Sequence, residues 1–201
     1  MRVIGLTGGI ASGKSLVSER LAERGAVVID ADKVGHSAYL KGTDTFDRVV
    51  EAFGEDIVGA DGEVDRKALG AKVFADTEAR HKLESIVWPA MRDMMEKQLE
   101  TLRSDGAEVA VLEAALLIEA DWIPLTDEVW LVTVSPETAR QRLFERNGLS
   151  AEDAEARIRA QLTNEKRRTY AGLVIENDGT LDQLSAAVDD AWSKLRNGTN
   201  A

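Results

Sequence analysis

Residues Gly8-Gly9-Ile10-Ala11-Ser12-Gly13-Lys14-Ser15 read G-x-x-x-x-G-K-S, the pattern of a phosphate-binding loop. The apolar run Val3-Ile4-Gly5-Leu6-Thr7 precedes it, and Leu16 to Ala22 follows with helical spacing at Val17, Leu21 and Ala22. Strand, glycine loop and helix is the context the pattern needs. Glycines let the backbone wrap a phosphate, with successive N–H groups turned inward as an anion nest. The positive end of the following helix adds to that field. Lys14 reaches the β/γ-phosphates and the Ser15 hydroxyl is a ligand for Mg²⁺. The expected nucleotide contacts are Gly8 through Leu16, and the expected ligand is a purine nucleoside triphosphate.

Working outward, continuous apolar runs alternate with helical patterns. Ala26–Ile29, Val109–Leu112, Val129–Val134 and Leu173–Ile175 read as four more strands. Unbroken apolar strands separated by helices predict an α/β fold. The sheet is parallel and five-stranded, with helices on both faces. Ligands of such sheets bind beyond the C-terminal strand ends. Polar residues gather there: the glycine loop, Asp30 and Asp32, Glu113, and Asn177-Asp178-Gly179.

About eighty residues separate the second and third strands, too many for a simple crossover. They read as helices over 33–40, 46–53, 66–74, 78–87 and 90–102, with a turn at Asp61-Gly62. Trp88-Pro89 predicts a kink or break between the last two, because proline removes an N–H and crowds the preceding turn. Met91, Met94 and Met95 read as core filling. After the fourth strand, Ser135-Pro136 opens a helix carrying Arg140, Arg142 and Arg146. Ser150 to Asp153 opens another as a capping box. The stretch through Lys166-Arg167-Arg168 is the markedly basic part of an acidic chain, and it reads as a lid closing over the triphosphate. The expected organisation is one phosphate-loop domain. Its core covers about 1–32, 107–135 and 170–196, its helical substrate-binding insertion about 33–106, and its lid about 136–169.

The chain has 201 residues, no cysteine, 44% hydrophobic residues and a formal charge of −11. This excludes disulfides and thiolate metal sites and suits a cytoplasmic location. The acidic balance argues against a nucleic-acid partner, and no segment reads as a membrane span or signal peptide. A monomer or weak homo-oligomer is expected. Asn197–Ala201 reads as a frayed tail, and Asn197-Gly198-Thr199 as a sequon without use in that compartment.

Three uses of the triphosphate compete. A GTPase should carry an Asn-Lys-x-Asp base-reading motif, and none is present; Asp56-Ile57-Val58-Gly59 fits D-x-x-G by letters alone. A remodelling ATPase needs partner modules for which there is little room. A small-molecule kinase needs a base, a lid and an acceptor pocket, and the chain has candidates for all three. Asp32 is the candidate base and Asp30 either a base or a helix cap. Glu113 is a candidate for holding Mg²⁺ through water or a plain strand end. Lys14 and Arg142 would neutralise the transferring phosphoryl.

The residues then carry a resemblance. Gly5 through Ile10 with Ser12 through Ser15, Val28-Ile29-Asp30-Ala31-Asp32, Ala52-Phe53-Gly54, Val73-Phe74, Leu116-Leu117-Ile118-Glu119, Gln141-Arg142-Leu143 with Arg146, Gln161, and Val174-Ile175-Glu176-Asn177 resemble the dephospho-CoA kinase family over nearly the whole chain. Its variants at His36, Trp88-Pro89 and Glu113-Ala114-Ala115 are similar to the kinase domain of the bifunctional CoA synthase of animals. Gly172 is a further variant. The resemblance implies transfer of the ATP γ-phosphoryl to the ribose 3′-hydroxyl of dephospho-CoA, with Mg²⁺. It implies Asp32 as base, and Lys14, Arg142, Arg146 and Asn177 on the nucleotide. His36, Pro89, Leu116, Leu117 and Glu119 would line the acceptor site. Another small-molecule kinase, or a nucleotide-binding regulator without turnover, is the alternative.

Overall fold

The computed structural model describes residues 1–198. Thr199 of the sequon and the end of the expected tail lie outside the described residues. The chain divides into two compact units, one formed by residues from Met1 to Ile29 and from Leu102 onward, the other by Asp30–Thr101.

The first unit holds the sheet. Strands β1 (Arg2–Gly8), β2 (Val27–Asp30), β3 (Val109–Glu113), β4 (Glu128–Thr133) and β5 (Leu173–Glu176) lie in the order β2-β3-β1-β4-β5. The pairs β1–β3, β1–β4 and β4–β5 are parallel. Central β1 is buried along nearly its whole length. On one face Ile4 and Leu6 join Val109, Val111, Trp130 and Val132 in a core closed by α1 (Lys14–Glu23) and the C-terminal helix α9 (Leu181–Arg196). Each such aliphatic side chain contributes about 1.5–3 kcal/mol by leaving water. On the other face Gly5 makes room: a Cβ there would stand 2.7 Å from Leu117 Cδ2 and 2.9 Å from Thr126 Cγ2.

Three helices lie between β4 and β5: α6 (Pro136–Asn147), α7 (Ala151–Arg159) and α8 (Asn164–Arg168). Ser135, Ser150 and Thr163 cap them through their hydroxyls, each accepting an N–H of the first turn. Much of the basic character of this region is spent on neighbours. Arg140 and Arg159 both pair with Glu155, and Arg168 pairs with Glu176.

The second unit is helical: α2 (Ala31–Ala38), α3 (Asp44–Phe53), α4 (Arg66–Ala75) and most of α5 (Thr77–Ser104). The turn at Asp61-Gly62 is closed by an antiparallel bridge between Val58 and Val64. Of the kink or break expected at Trp88-Pro89, the break does not occur, since α5 runs through Pro89. Its buried face continues across the proline, with Ile86 and Val87 before it and Met91, Met95 and Leu99 after. Burial of those side chains offsets the roughly 3 kcal/mol that an internal proline costs a helix. Among the described residues no helix is long and apolar enough to cross a membrane.

Candidate active site

The loop between β1 and α1 has the shape its glycines permit. Ala11 (φ 60°) and Gly13 (φ 86°) both adopt left-handed backbone, which turns successive N–H groups to one side. Gly13 is also the N-cap of α1 and supplies no capping side chain, so the first-turn N–H groups carry no side-chain cap. A Cβ at Gly13 would overlap the Asn177 amide nitrogen, and one at Gly8 would stand 2.6 Å from Ser12 Oγ and from the Val132 carbonyl. Gly8 is therefore required by space, and Gly13 by space as well as by backbone angle.

The β1–β3 register sets Leu6 beside Glu113, and this brings a carboxylate under the start of α1. Lys14 Nζ donates to Glu113 Oε1 at 2.6 Å, and Ser15 Oγ donates to the same oxygen at 2.7 Å. Ser18 Oγ lies 2.5 Å from Oε2. Glu113 is buried. Burial alone would raise its pKa, but the hydrogen bonds from Lys14, Ser18 and Ser15, with the Lys14 charge, hold it below the ordinary carboxylate value. Glu113 is thus a buried carboxylate locked to Lys14 and Ser15, and not a solvated strand end.

From α6, Arg142 reaches across to the loop. Its NH1 donates to the Ala11 carbonyl at 3.2 Å and its NH2 to the Asn177 carbonyl at 2.7 Å. Asn177, at the end of β5, donates through its side-chain amide to the Ser12 carbonyl at 2.8 Å. The loop is therefore pinned from two later strand and helix ends. A cavity of about 880 Å³ opens beside it, lined by Ile10, Leu16, Arg142, Arg146, Asn177 and Leu181 among others. Its mixed apolar and cationic lining suits a nucleoside with phosphates attached. Asp178 is used structurally. It accepts from the Ser135 N–H and the Thr138 hydroxyl, and those bonds lower its pKa.

The loop makes two contacts whose importance the sequence did not signal. The Ile10 N–H donates to Gln161 Oε1 at 2.8 Å, joining the turn after α7 to the loop. Arg167, in α8, is fully buried and donates to Thr7 Oγ1, the last side chain of β1 before the loop. Its only sequence cue is a basic triplet, in which Lys166 and Arg168 are exposed.

In the second unit the two aspartates following β2 separate in role. Asp30 Oδ1 accepts from the N–H groups of Asp32 and Lys33 and so caps α2. Asp32 is exposed, and its carboxylate makes no hydrogen bond or ion pair with the described residues. His36 and Pro89 are exposed too. The segment after β3 corrects one expectation. Leu116 is 38% exposed, but Leu117 is fully buried against Gly5 and its side chain is not presented at the surface. A two-leucine pattern on a short turn puts successive side chains on opposite sides, and here the second fills the space the glycine leaves. Glu119 pairs with Arg167 at 3.1 Å.

A glycine loop opening a helix at the end of the central parallel strand, with a lysine and a serine converging on a buried carboxylate, defines a nucleoside-triphosphate-dependent phosphotransferase of the phosphate-loop class. A family model described as dephospho-CoA kinase matches residues 2–183. The dephospho-CoA kinase of Geobacter sulfurreducens is 49% identical over 194 residues, covering 96% of this chain and 98% of the relative. A Thermus thermophilus protein of known structure superposes with a TM-score of 0.81 at 34% identity, covering 96% of this chain and 97% of its own. The dephospho-CoA kinase from Campylobacter jejuni superposes at 0.75 with 25% identity, covering 98% and 99%. The chain belongs to the dephospho-CoA kinase family.

Proposed function

We propose that this chain transfers the γ-phosphoryl of ATP to the ribose 3′-hydroxyl of dephospho-CoA, giving coenzyme A and ADP, with Asp32 as the base. The observation that carries the residue assignment is the division of labour after β2. Asp30 is occupied as the α2 cap, while Asp32 presents a carboxylate with no protein partner among the described residues. In this reading Asp32 takes the proton of the 3′-hydroxyl as its oxygen attacks the γ-phosphorus. The bond from the γ-phosphorus to the bridging oxygen breaks, and its electron pair leaves with ADP. Lys14, the loop N–H groups and Arg142 stabilise the charge on the transferring group.

Mg²⁺ fits the donors present. The Ser15 hydroxyl and the ionised Glu113 carboxylate are hard oxygen ligands side by side, and Mg²⁺ favours one or two such groups plus substrate phosphates. When bound, the ion would neutralise phosphate oxygens. Arg146 and Asn177 are proposed on the nucleotide side, and His36, Pro89, Leu116 and Glu119 on the acceptor side. The helices of Asp30–Thr101 are proposed as the acceptor-binding insertion, and 136–169 as the lid. A cytoplasmic, monomeric or weakly self-associating enzyme without nucleic-acid or membrane partners fits the acidic, cysteine-free composition. The test is ADP release with dephospho-CoA set against nucleosides and other alcohols. Turnover selective for dephospho-CoA supports the reading. Turnover with another alcohol instead, or nucleotide binding without ADP release, refutes it.

A further inference from the structure

Arg167 is a charged side chain with no solvent exposure, held in the interior of the first unit. Its donors go to four separate groups. Nε donates to the Leu162 carbonyl at 3.2 Å, NH1 to Thr7 Oγ1 at 3.2 Å and to the Ala115 carbonyl at 3.1 Å, and NH2 to Glu119 Oε1 at 3.1 Å. A guanidinium can grip one carboxylate with two parallel bonds. Here it spends only one bond on Glu119 and uses the others to join three stretches of chain: the end of β1, the segment after β3, and the approach to α8.

The segment after β3 is held on its inner side by other means. The Ala114 N–H donates to the Leu6 carbonyl at 3.0 Å, and Leu117 and Trp122 are buried. Ala120 N–H closes a turn on the Leu116 carbonyl at 2.9 Å. What these contacts leave undetermined is the placing of Ala115, Leu116 and Glu119 toward the outside. Arg167 fixes two of the three, and Leu116 lies between them with 38% exposure. Glu119 Oε2 is meanwhile buried with no hydrogen-bond partner among the described residues. A buried carboxylate oxygen left in that condition is costly, and a buried ion pair is weak evidence of a role in stability.

We infer that Arg167 is a positioning residue for the acceptor substrate, holding Ala115 and Glu119 so that Leu116, between them, meets dephospho-CoA. This rests on the reading that Leu116 contacts that substrate. Because the same guanidinium grips Thr7 and the Leu162 carbonyl, it also ties the acceptor segment to the strand that enters the phosphate loop and to the end of the lid stretch. The two bonds to the Ala115 carbonyl and to Glu119 hold the segment after β3 directly, so the loss of Arg167 should be felt more on the acceptor than on the nucleotide.

The experiment compares the full chain with Arg167→Lys, Glu119→Gln and the double variant. Steady-state KM and kcat are measured for each substrate, with calorimetric Kd values for dephospho-CoA and for a non-hydrolysable ATP analogue, and with Tm. The account predicts that each single variant raises KM and Kd for dephospho-CoA by about tenfold or more while the ATP values stay within about threefold. It predicts that the double variant is within about twofold of the worse single one, because the two residues act through one contact. A folded Arg167→Lys with unchanged dephospho-CoA affinity overturns the inference. So does an equal rise for both substrates, which a general loosening would give, or fully additive losses. If Arg167→Lys does not fold, Glu119→Gln alone decides by the same split. A wild-type chain inactive on dephospho-CoA would instead remove the acceptor reading, and this inference with it. Wild-type activity with unaltered variants removes the inference alone.

Discussion

Lys14 and Glu113 are joined by a 2.6 Å ion pair, and Ser15 shares the same carboxylate oxygen. The lysine expected on the β/γ-phosphates is thus held by a strand-end carboxylate. This has a consequence for stability. The Glu113 pKa is lowered on folding from its ordinary value of 4.5. Its contribution is therefore complete above that ordinary value and is lost as the pH falls below it through the folded-state pKa. Thermal melts of the wild type and Glu113→Gln should differ most near neutrality and converge as the pH falls through that window. A difference that grew on acidification would contradict the ion pair's role.

Asp30 and Asp32 should separate in their effects. Asp30→Ala removes the α2 cap and should lower stability by about 1 kcal/mol, with Asp30→Asn largely restoring it. Asp32→Asn should leave Tm unchanged and lower kcat by roughly 10²–10⁴-fold, the usual contribution of a positioned general base. Near-wild-type kcat in Asp32→Asn would reject the base assignment.

Arg142 bonds to two carbonyls on different segments, Ala11 and Asn177. Lysine cannot reproduce a planar fork that spans both. Arg142→Ala and Arg142→Lys should therefore both lower kcat by about 10²-fold or more, with ATP Kd changing less, because the charge acts mainly on the transferring group. An equal loss in ground-state ATP binding would count against this role.

The sheet was legible because its strands are continuous apolar runs separated by helical patterns, but the strand order was not. Pro89 does not end the helix, because the local rule against an internal proline is weaker than the buried face that α5 carries through it. Asp30 and Asp32 could be told apart only by hydrogen bonds, since an aspartate after a strand is equally a cap or a base. Leu117 was placed at the acceptor site by the resemblance, and the space at Gly5 that its side chain fills is not visible in the motif. Arg167 was hidden in a basic triplet, where sequence gives no sign that one of three cations is buried. Gln161 was visible as part of a pattern, but its bond to Ile10 depends on how the turn after α7 meets the loop.

Divalent-ion removal should separate catalysis from folding. Among the described residues no group of three or more His, Cys, Asp or Glu side chains is placed to hold a metal, so the ion would depend on Ser15, Glu113 and the bound phosphates. Excess chelator should abolish phosphoryl transfer, leave the Tm of the ligand-free chain unchanged, and be reversed by Mg²⁺. A fall in Tm on chelation would reveal a structural ion instead.

The central claim is that the site phosphorylates dephospho-CoA through Asp32. Its most direct test is a single-turnover reaction of ATP labelled on the γ-phosphoryl with dephospho-CoA, followed by chemical location of the label. The account predicts label on the ribose 3′-oxygen of coenzyme A with wild-type enzyme, and the same label formed about 10²–10⁴-fold more slowly with Asp32→Asn, although that variant still binds ATP. Label released as inorganic phosphate, found at another position, or transferred equally well by Asp32→Asn would contradict it.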